Sequence, residues 1–260
     1  MTVTEPVGAL VRKWRLRRQR SQLDVSVAAD LSTRHLSYIE TGRAMPSRQM
    51  IERLCEELDV PLRERNAFYL AAGFAPAYAE RAYADLAAAR TAVEAVLTGL
   101  EPHPALAVNV RWELLAANRA MAVFLDGVPD ELRRPPLNVL RATLHPDGLA
   151  GRISNLGQWR GHVLRRIRRQ LASTAADGLA DLLAELESYP APHDDGSVPY
   201  DGLVIPLRLS FGGGELSFLY TTTVFGAPLD VTLDEIAIEA FFPADATTAD
   251  VLQDMLKEFA

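Results

Sequence analysis

Between Ser32 and Gly42 the chain reads Thr33-Arg34-His35-Leu36-Ser37-Tyr38-Ile39-Glu40-Thr41. At helical spacing Leu36 and Ile39 share an inward side, which leaves Thr33, Arg34, Ser37 and Tyr38 facing outward. Such a set can hydrogen-bond the edges of base pairs. Arg34 has the fork geometry to donate twice to guanine O6 and N7, and Thr33 or Tyr38 can contact a thymine methyl group. Gln22 upstream, and Arg43 and Ser47 downstream of Gly42, are spaced to reach phosphates. Six basic and no acidic residues lie between Val11 and Arg20; Arg15 and Arg17 in this run are expected to bind phosphates whatever the sequence. The same run also reads as a solvated helix face, and the bundle around it as a protein-interaction domain.

Reaction chemistry is hard to find. There is no Gly-x-Ser-x-Gly elbow and no phosphate loop ending in Gly-Lys-Ser/Thr. Gly212-Gly213-Gly214 has no lysine after it and reads as a hairpin turn. His193-Asp194-Asp195 lies in a loop rich in Pro, Gly and Asp and lacks two further ligands, so no metal or other cofactor is expected. Cys55 stands alone, which excludes an internal disulfide and a thiolate zinc site. Catalysis is not expected.

The outward residues need short helices to present them. Helices are expected over 6–18, 22–29, 33–41, 47–58 and 61–72, with Ser21 and Ser32 as caps and Gly42 as a stop. Leu10, Val11, Trp14 and Leu16 give the first an apolar side. Leu23, Val27 and Ala28 are expected to face inward on the second. An alanine-rich stretch over 73–101 reads as a helical linker that hinges or props apart two domains, until Glu101-Pro102-His103-Pro104 ends it.

Alternation then predicts strands over 105–110 and 112–116, and again over 203–211, 215–224 and 235–242. Helices are expected between them at 118–125, 137–144, 153–172 and 178–188, and last at 249–259. In the longest, Leu156, Trp159, Val163, Ile167 and Leu171 form one stripe. Strands at both ends with helices between them make an antiparallel sheet covered on one side. The fold class is thus an all-α five-helix domain (1–72), a linker (73–101) and an α+β domain (102–260). A covered sheet encloses a concave, mainly apolar space. Its candidate walls are Trp112, Leu114, Phe124, Trp159 and Val163 from the first part, with Phe218, Tyr220 and Phe225 from the last strands. Each also reads as plain core. His162 could join the lining, and His145 reads as a helix terminator. Arg165, Arg166, Arg168 and Arg169 crowd the exposed side of the long helix, where acidic partners are expected and a secondary DNA contact or an anchor for an anionic ligand are the alternatives.

The 260 residues suffice for two such domains, and the mean hydropathy is near zero. No apolar run approaches the roughly 20 residues of a membrane span, and the N-terminus lacks a secretory pattern; the expected setting is the cytoplasm. The net charge of -7 hides an asymmetry, because the first 65 residues carry 12 basic against 9 acidic side chains. At physiological salt fields decay within about 8 Å, so a basic head on an acidic body can still meet phosphates.

The segment from Ser21-Gln22 to Ile39-Glu40-Thr41-Gly42-Arg43-Ala44-Met45-Pro46-Ser47 resembles the lambda-repressor-like, XRE-type helix-turn-helix family over about residues 6–72. Its turn departs from the family pattern, with Asp30 where glycine is usual. The second part resembles the MmyB-like ligand-binding domain, a PAS-like fold that follows XRE-type heads in actinobacterial regulators. The residues that carry this likeness are 111–120 (Arg111-Trp112-Glu113-Leu114-Leu115 onward), Leu144-His145-Pro146-Asp147-Gly148-Leu149, Asn155-Leu156-Gly157-Gln158-Trp159-Arg160, and 223–232 with Phe225-Gly226 and Pro228-Leu229-Asp230. Together the two likenesses imply a transcription regulator that binds a double-stranded operator as a homodimer and senses a small, apolar or fatty-acid-like molecule. A regulator whose second half only dimerises or contacts proteins is the alternative, and an enzyme or antitoxin-like module that uses the head for localisation is a third.

Overall fold

The computed structural model describes residues 5–192 and 204–258. His193-Asp194-Asp195 and the first residue of the strand expected over 203–211 lie outside the described residues. The chain forms two compact units: one runs up to Arg81 and includes Ala172–Thr174 and Ala227–Asp234, and the other comprises Ala82–Leu171, Ala175–Gly226 and the residues from Glu235 on.

The part of the first unit up to Arg81 holds five helices among the described residues: α1 (Val7–Arg17), α2 (Gln22–Ala28), α3 (Thr33–Glu40), α4 (Arg48–Glu57) and α5 (Leu62–Ala71). Their starts follow from caps. Ser21 accepts from the Asp24 amide while the Asp24 carboxylate accepts from the Ser21 amide, a reciprocal pair that fixes the entry to α2. Ser32 caps α3 through the His35 amide at 3.1 Å, and Ser47 caps α4 through the Met50 amide at 3.3 Å. After α2 the chain turns with Asp30 in the left-handed region at φ 54°, so aspartate takes up the conformation for which glycine is usual. Val11, Trp14, Val25, Leu36, Ile39, Ile51, Leu54 and Phe68 close the core. Cys55 lies inside it, and burial pushes its thiol up to about 12.

Two expectations about faces fail. On α2 the buried residues are Val25 and Ser26, followed by Ala29, while Leu23 and Val27 are exposed. Leu23/Val27 and Val25/Ala29 share the same four-residue spacing, so a helix of two turns leaves its phase open. Leu16 on α1 is exposed as well, and its place inside is taken by Arg15. One glycine is demanded by packing: a Cβ on Gly8 would lie 2.1 Å from the Ile39 carbonyl oxygen, so α1 and α3 touch backbone to backbone there.

The second unit is built on a five-stranded antiparallel sheet of order β2-β1-β5-β4-β3. Its strands are β1 (Ala105–Val108), β2 (Leu114–Ala117), β3 (Leu207–Phe211), β4 (Gly214–Val224) and β5 (Ala237–Pro243). The β3–β4 hairpin turns on Gly212 and Gly213, both at positive φ, as a two-residue loop requires. Helix α6 (Ala87–Gly99), inside the stretch expected to link two domains, packs on β1 and β2 with Val93 and Leu97 buried. Between β2 and β3 come α7 (Arg119–Leu125), the single turn α8 (Asp130–Arg133), α9 (Val139–Leu144), α10 (Leu156–Thr174) and α11 (Leu179–Ser188). The short α12 (Val231–Asp234) precedes β5, and α13 (Ala246–Glu258) follows it. The pairings Tyr220↔Phe241, Leu106↔Glu239 and Thr222↔Glu239 set these side chains on one face by the period-two rule. No helix among the described residues is long and apolar enough to cross a membrane.

Candidate nucleic-acid interface and ligand cavity

In the first unit α3 turns Leu36 and Ile39 inward, leaves Thr33 and Arg34 exposed, and holds Ser37 and Tyr38 half-buried. Arg34 Nε donates to the Tyr38 hydroxyl at 2.8 Å, and its guanidinium lies 5.3 Å from the centre of that ring. Arg43 approaches the same ring from beyond the helix, at 5.9 Å. Two cations are therefore gathered around one tyrosine at the exit of α3. The Thr33 hydroxyl is 3.0 Å from Ser26 Oγ, which ties the start of α3 to α2. Ser47 spends its hydroxyl oxygen on the cap of α4. Arg17 lies half-buried against the ring of Trp14, 5.5 Å from its centre.

Arg15 does not fit the expected phosphate contact. Only 10% of its side chain is exposed, and it donates to Glu40 at 2.6 and 2.9 Å and to the Arg20 carbonyl at 3.0 Å. Gln22 also donates to Glu40, at 2.7 Å. Burial would raise the Glu40 carboxyl, but the hydrogen bonds from Arg15 and Gln22, with the charges of Arg15 and Arg12, outweigh it and hold the group below the usual carboxylate range. Glu40 was missed as the hub of this network. Its one signal in the sequence is an acidic residue between the inward Ile39 and the helix stop at Gly42.

In the second unit, the sheet face that carries Leu106, Tyr220, Glu239 and Phe241 forms one wall of a two-lobed cavity, each lobe about 70 Å³. In one lobe α10 supplies Trp159, His162, Val163 and Arg166, and Trp112 joins them. In the other, Met121 and Phe124 of α7 face Leu209 and Phe218. Leu106, Val139, Thr143, Leu207 and Phe241 border both. Of the walls expected from sequence, Leu114 and Phe225 lie off the cavity. Leu114 is half-buried at the edge of the core, and Phe225 follows the last residue of β4, where the alternation that would aim it inward has ended.

Aromatic packing shapes the first lobe. Trp159 stacks on His162 at 5.6 Å and meets Tyr220 edge-on at 5.4 Å, while His162 Nε2 and the Tyr220 hydroxyl share a hydrogen bond of 2.5 Å. Burial, reinforced by the charges of Arg166, Arg165 and Arg169, holds His162 below its ordinary pKa. Burial raises the Tyr220 hydroxyl, so both groups are neutral near pH 7. Arg166 has the acidic partner expected for it, but within the fold and not on the exposed side of α10: it donates to both carboxylate oxygens of the buried Glu239, at 2.7 and 2.6 Å, and to Thr222 Oγ1 at 2.7 Å. Burial works to lower the pKa of Arg166, and the bonds and charge of Glu239 reverse this and raise it. Glu239 lies in a strand expected from sequence, but no pattern there announces a buried carboxylate. His145 ends α9, as expected, and accepts from the Asp147 amide through Nδ1 at 3.1 Å.

Residues 89–255, well over half of the chain, match the MmyB-like transcription regulator ligand binding domain. The chain belongs to that family. Ahead of the MmyB-like half, residues 6–68 match a helix-turn-helix domain. The head is also similar to the transcriptional regulator ClgR of Mycobacterium tuberculosis, in strains CDC 1551 / Oshkosh and ATCC 25618 / H37Rv. The identity is 38% over 60 residues, which is 23% of this chain and 54% of either relative. The chain thus spans about half the length of the curated relatives it matches.

Proposed function

We propose that this MmyB-like regulator binds double-stranded operator DNA through α3 and adjusts that binding to a small, mainly apolar molecule with a fatty-acyl-like tail held in the second unit. The observation that carries the DNA reading is the outward face of α3, where Thr33, Arg34 and Tyr38 stand opposite the buried Leu36 and Ile39. Arg34, Thr33, Ser37 and Tyr38 read base edges in the major groove. Gln22, Arg17, Arg43 and Ser47 flank them toward the phosphates. The division of labour is a head over 1–72, a connector over 73–101 and a sensing and pairing part over 102–260. The setting is the cytoplasm, and the chain works without catalysis.

A single head buries too little surface for specificity, so two chains pair and present two α3 helices to major grooves about 34 Å apart on a two-fold site. An effector shifts this arrangement only by as much as its affinity differs between the two states. Selection of binding sites from random duplexes, followed by footprinting across a salt series, tests the reading. The expected result is a palindromic site whose affinity falls steeply with salt; protection that follows no sequence even at low ionic strength overturns it.

A further inference from the structure

Tyr38 is joined to both cations beside it, and by different means. Arg34 stands four residues earlier on α3, so the two side chains meet along the helix surface. The phenolic oxygen accepts from Arg34 Nε at 2.8 Å, with the guanidinium 5.3 Å from the ring centre. Arg43 is brought to the ring by the backbone. Its amide donates to the Tyr38 carbonyl at 2.8 Å, and the Ala44 amide donates to the same oxygen at 3.1 Å. The tyrosine is itself held in place, because its neighbour Ile39 and Leu36 two residues before it are fully buried and Tyr38 is half-buried. Among the described residues no carboxylate pairs with Arg34.

A guanidinium carries its N–H donors in a planar fork, with one on Nε and the rest on the two Nη groups. With Nε engaged by tyrosine, the side-on pair of Nε and Nη is closed to other acceptors. The end-on pair, Nη1 and Nη2, remains, and neither has a partner among the described residues. Guanine offers O6 and N7 as a matched pair of acceptors in the major groove. An unrestrained arginine loses rotamer freedom on meeting them, whereas a prealigned one has lost part of it beforehand, which favours the matched base. We infer that Tyr38 is a positioning residue: its hydroxyl holds Arg34 in the end-on presentation that reads one guanine, and its share in base reading passes through that arginine. This inference rests on α3 reading DNA, as proposed above. The Arg34–Tyr38 bond is exposed, so removing it is expected to leave the fold intact.

Binding-site selection with the full chain first locates the base position that Arg34→Ala relaxes. Tyr38→Phe keeps the ring beside both cations and removes the acceptor. It is expected to lower the preference for guanine at that same position by about three- to tenfold. Its salt slope and thermal midpoint are expected to match those of the unaltered chain, since no charge is lost. In an Arg34→Ala background, Tyr38→Phe is expected to change nothing further. A tyrosine that serves only the fold would lower the midpoint and weaken all duplexes alike, and that result overturns the inference. So does an unchanged preference in Tyr38→Phe, a loss at a different position, or effects of the two substitutions that multiply independently; each of these leaves α3 as the reading helix. An Arg34→Ala chain that relaxes no position overturns it as well. If the unaltered chain selects no site, the operator reading itself falls, and this inference with it.

Discussion

The Glu40 carboxylate, 3% exposed, gathers Arg15 and Gln22 between α1 and α3 and so decides which cations of the basic run remain for a partner. Removing one member of a buried ion pair leaves the other uncompensated, at a cost of about 3–5 kcal/mol. Arg15→Ala is thus expected to lower the stability of the first unit by about 3 kcal/mol, read by denaturant titration. A variant as stable as the native chain, with weaker DNA binding, would return Arg15 to the phosphate set. Arg34→Ala should behave in the opposite way. Among the described residues its guanidinium bonds Tyr38 and no acidic group, so stability should hold, while operator affinity drops by roughly 1–3 kcal/mol and preference relaxes at one or two positions. Binding-site selection with the variant checks this; an unchanged consensus removes Arg34 from the reading set. The outward residues of α3 were legible because Leu36 and Ile39 fix its inward side. Glu40 and Arg166 were not, because the sequence shows a charge but not the partner that lets it enter a core.

At the scale of elements, the caps carried most of the information. Ser21, Ser32 and Ser47 each precede a helix and bond its first turn, which set the starts of α2, α3 and α4 to within one residue. Faces were less legible where helices are short: seven residues of α2 fit two phases, whereas nineteen of α10 fit one, and its stripe of Trp159, Val163 and Ile167 is buried. The sheet's strands were visible by alternation, but their order depends on β5 entering between β1 and β4, a long-range pairing with no local signal. Backbone proximity is equally silent. The approach of Gly8 to the Ile39 carbonyl forces α1 aside when any side chain is added. Gly8→Ala is expected to destabilise the first unit by about 1–3 kcal/mol and, because α3 is the element that α1 packs against there, to weaken operator binding in the folded fraction. Wild-type stability in thermal melts would show that α1 can shift freely.

The whole molecule is acidic while its first 65 residues are basic, which confines attraction for nucleic acid to one unit. Acidity of the medium acts on the other. His162 and His103 both sit below the ordinary histidine value because burial disfavours their charged forms, with neighbouring arginines adding to the effect at His162. The unfolded chain then takes up protons that the folded one refuses. Stability is complete above about pH 6.5 and declines as pH falls from there toward the lower folded values. Carboxylates held low by arginine, such as Glu40 and Glu185, withdraw their contribution only below the usual carboxylate range. The thermal midpoint should therefore fall between about pH 7.5 and 5.5, and fall less in His162→Gln, whose amide can still meet Tyr220. An identical fall in both proteins would clear His162 of responsibility.

Cys55 is the one sulfhydryl in the chain, enclosed in the core of the first unit with its thiol raised to about 12. Thiolate is the reactive species, so a maleimide or an oxidant finds nothing to attack until that core opens. Under native conditions the speed of tagging at this sulfur becomes a clock for the opening of the helical head alone, requiring no engineered label. Operator DNA, if it clamps the closed form, should slow that clock in proportion to its occupancy.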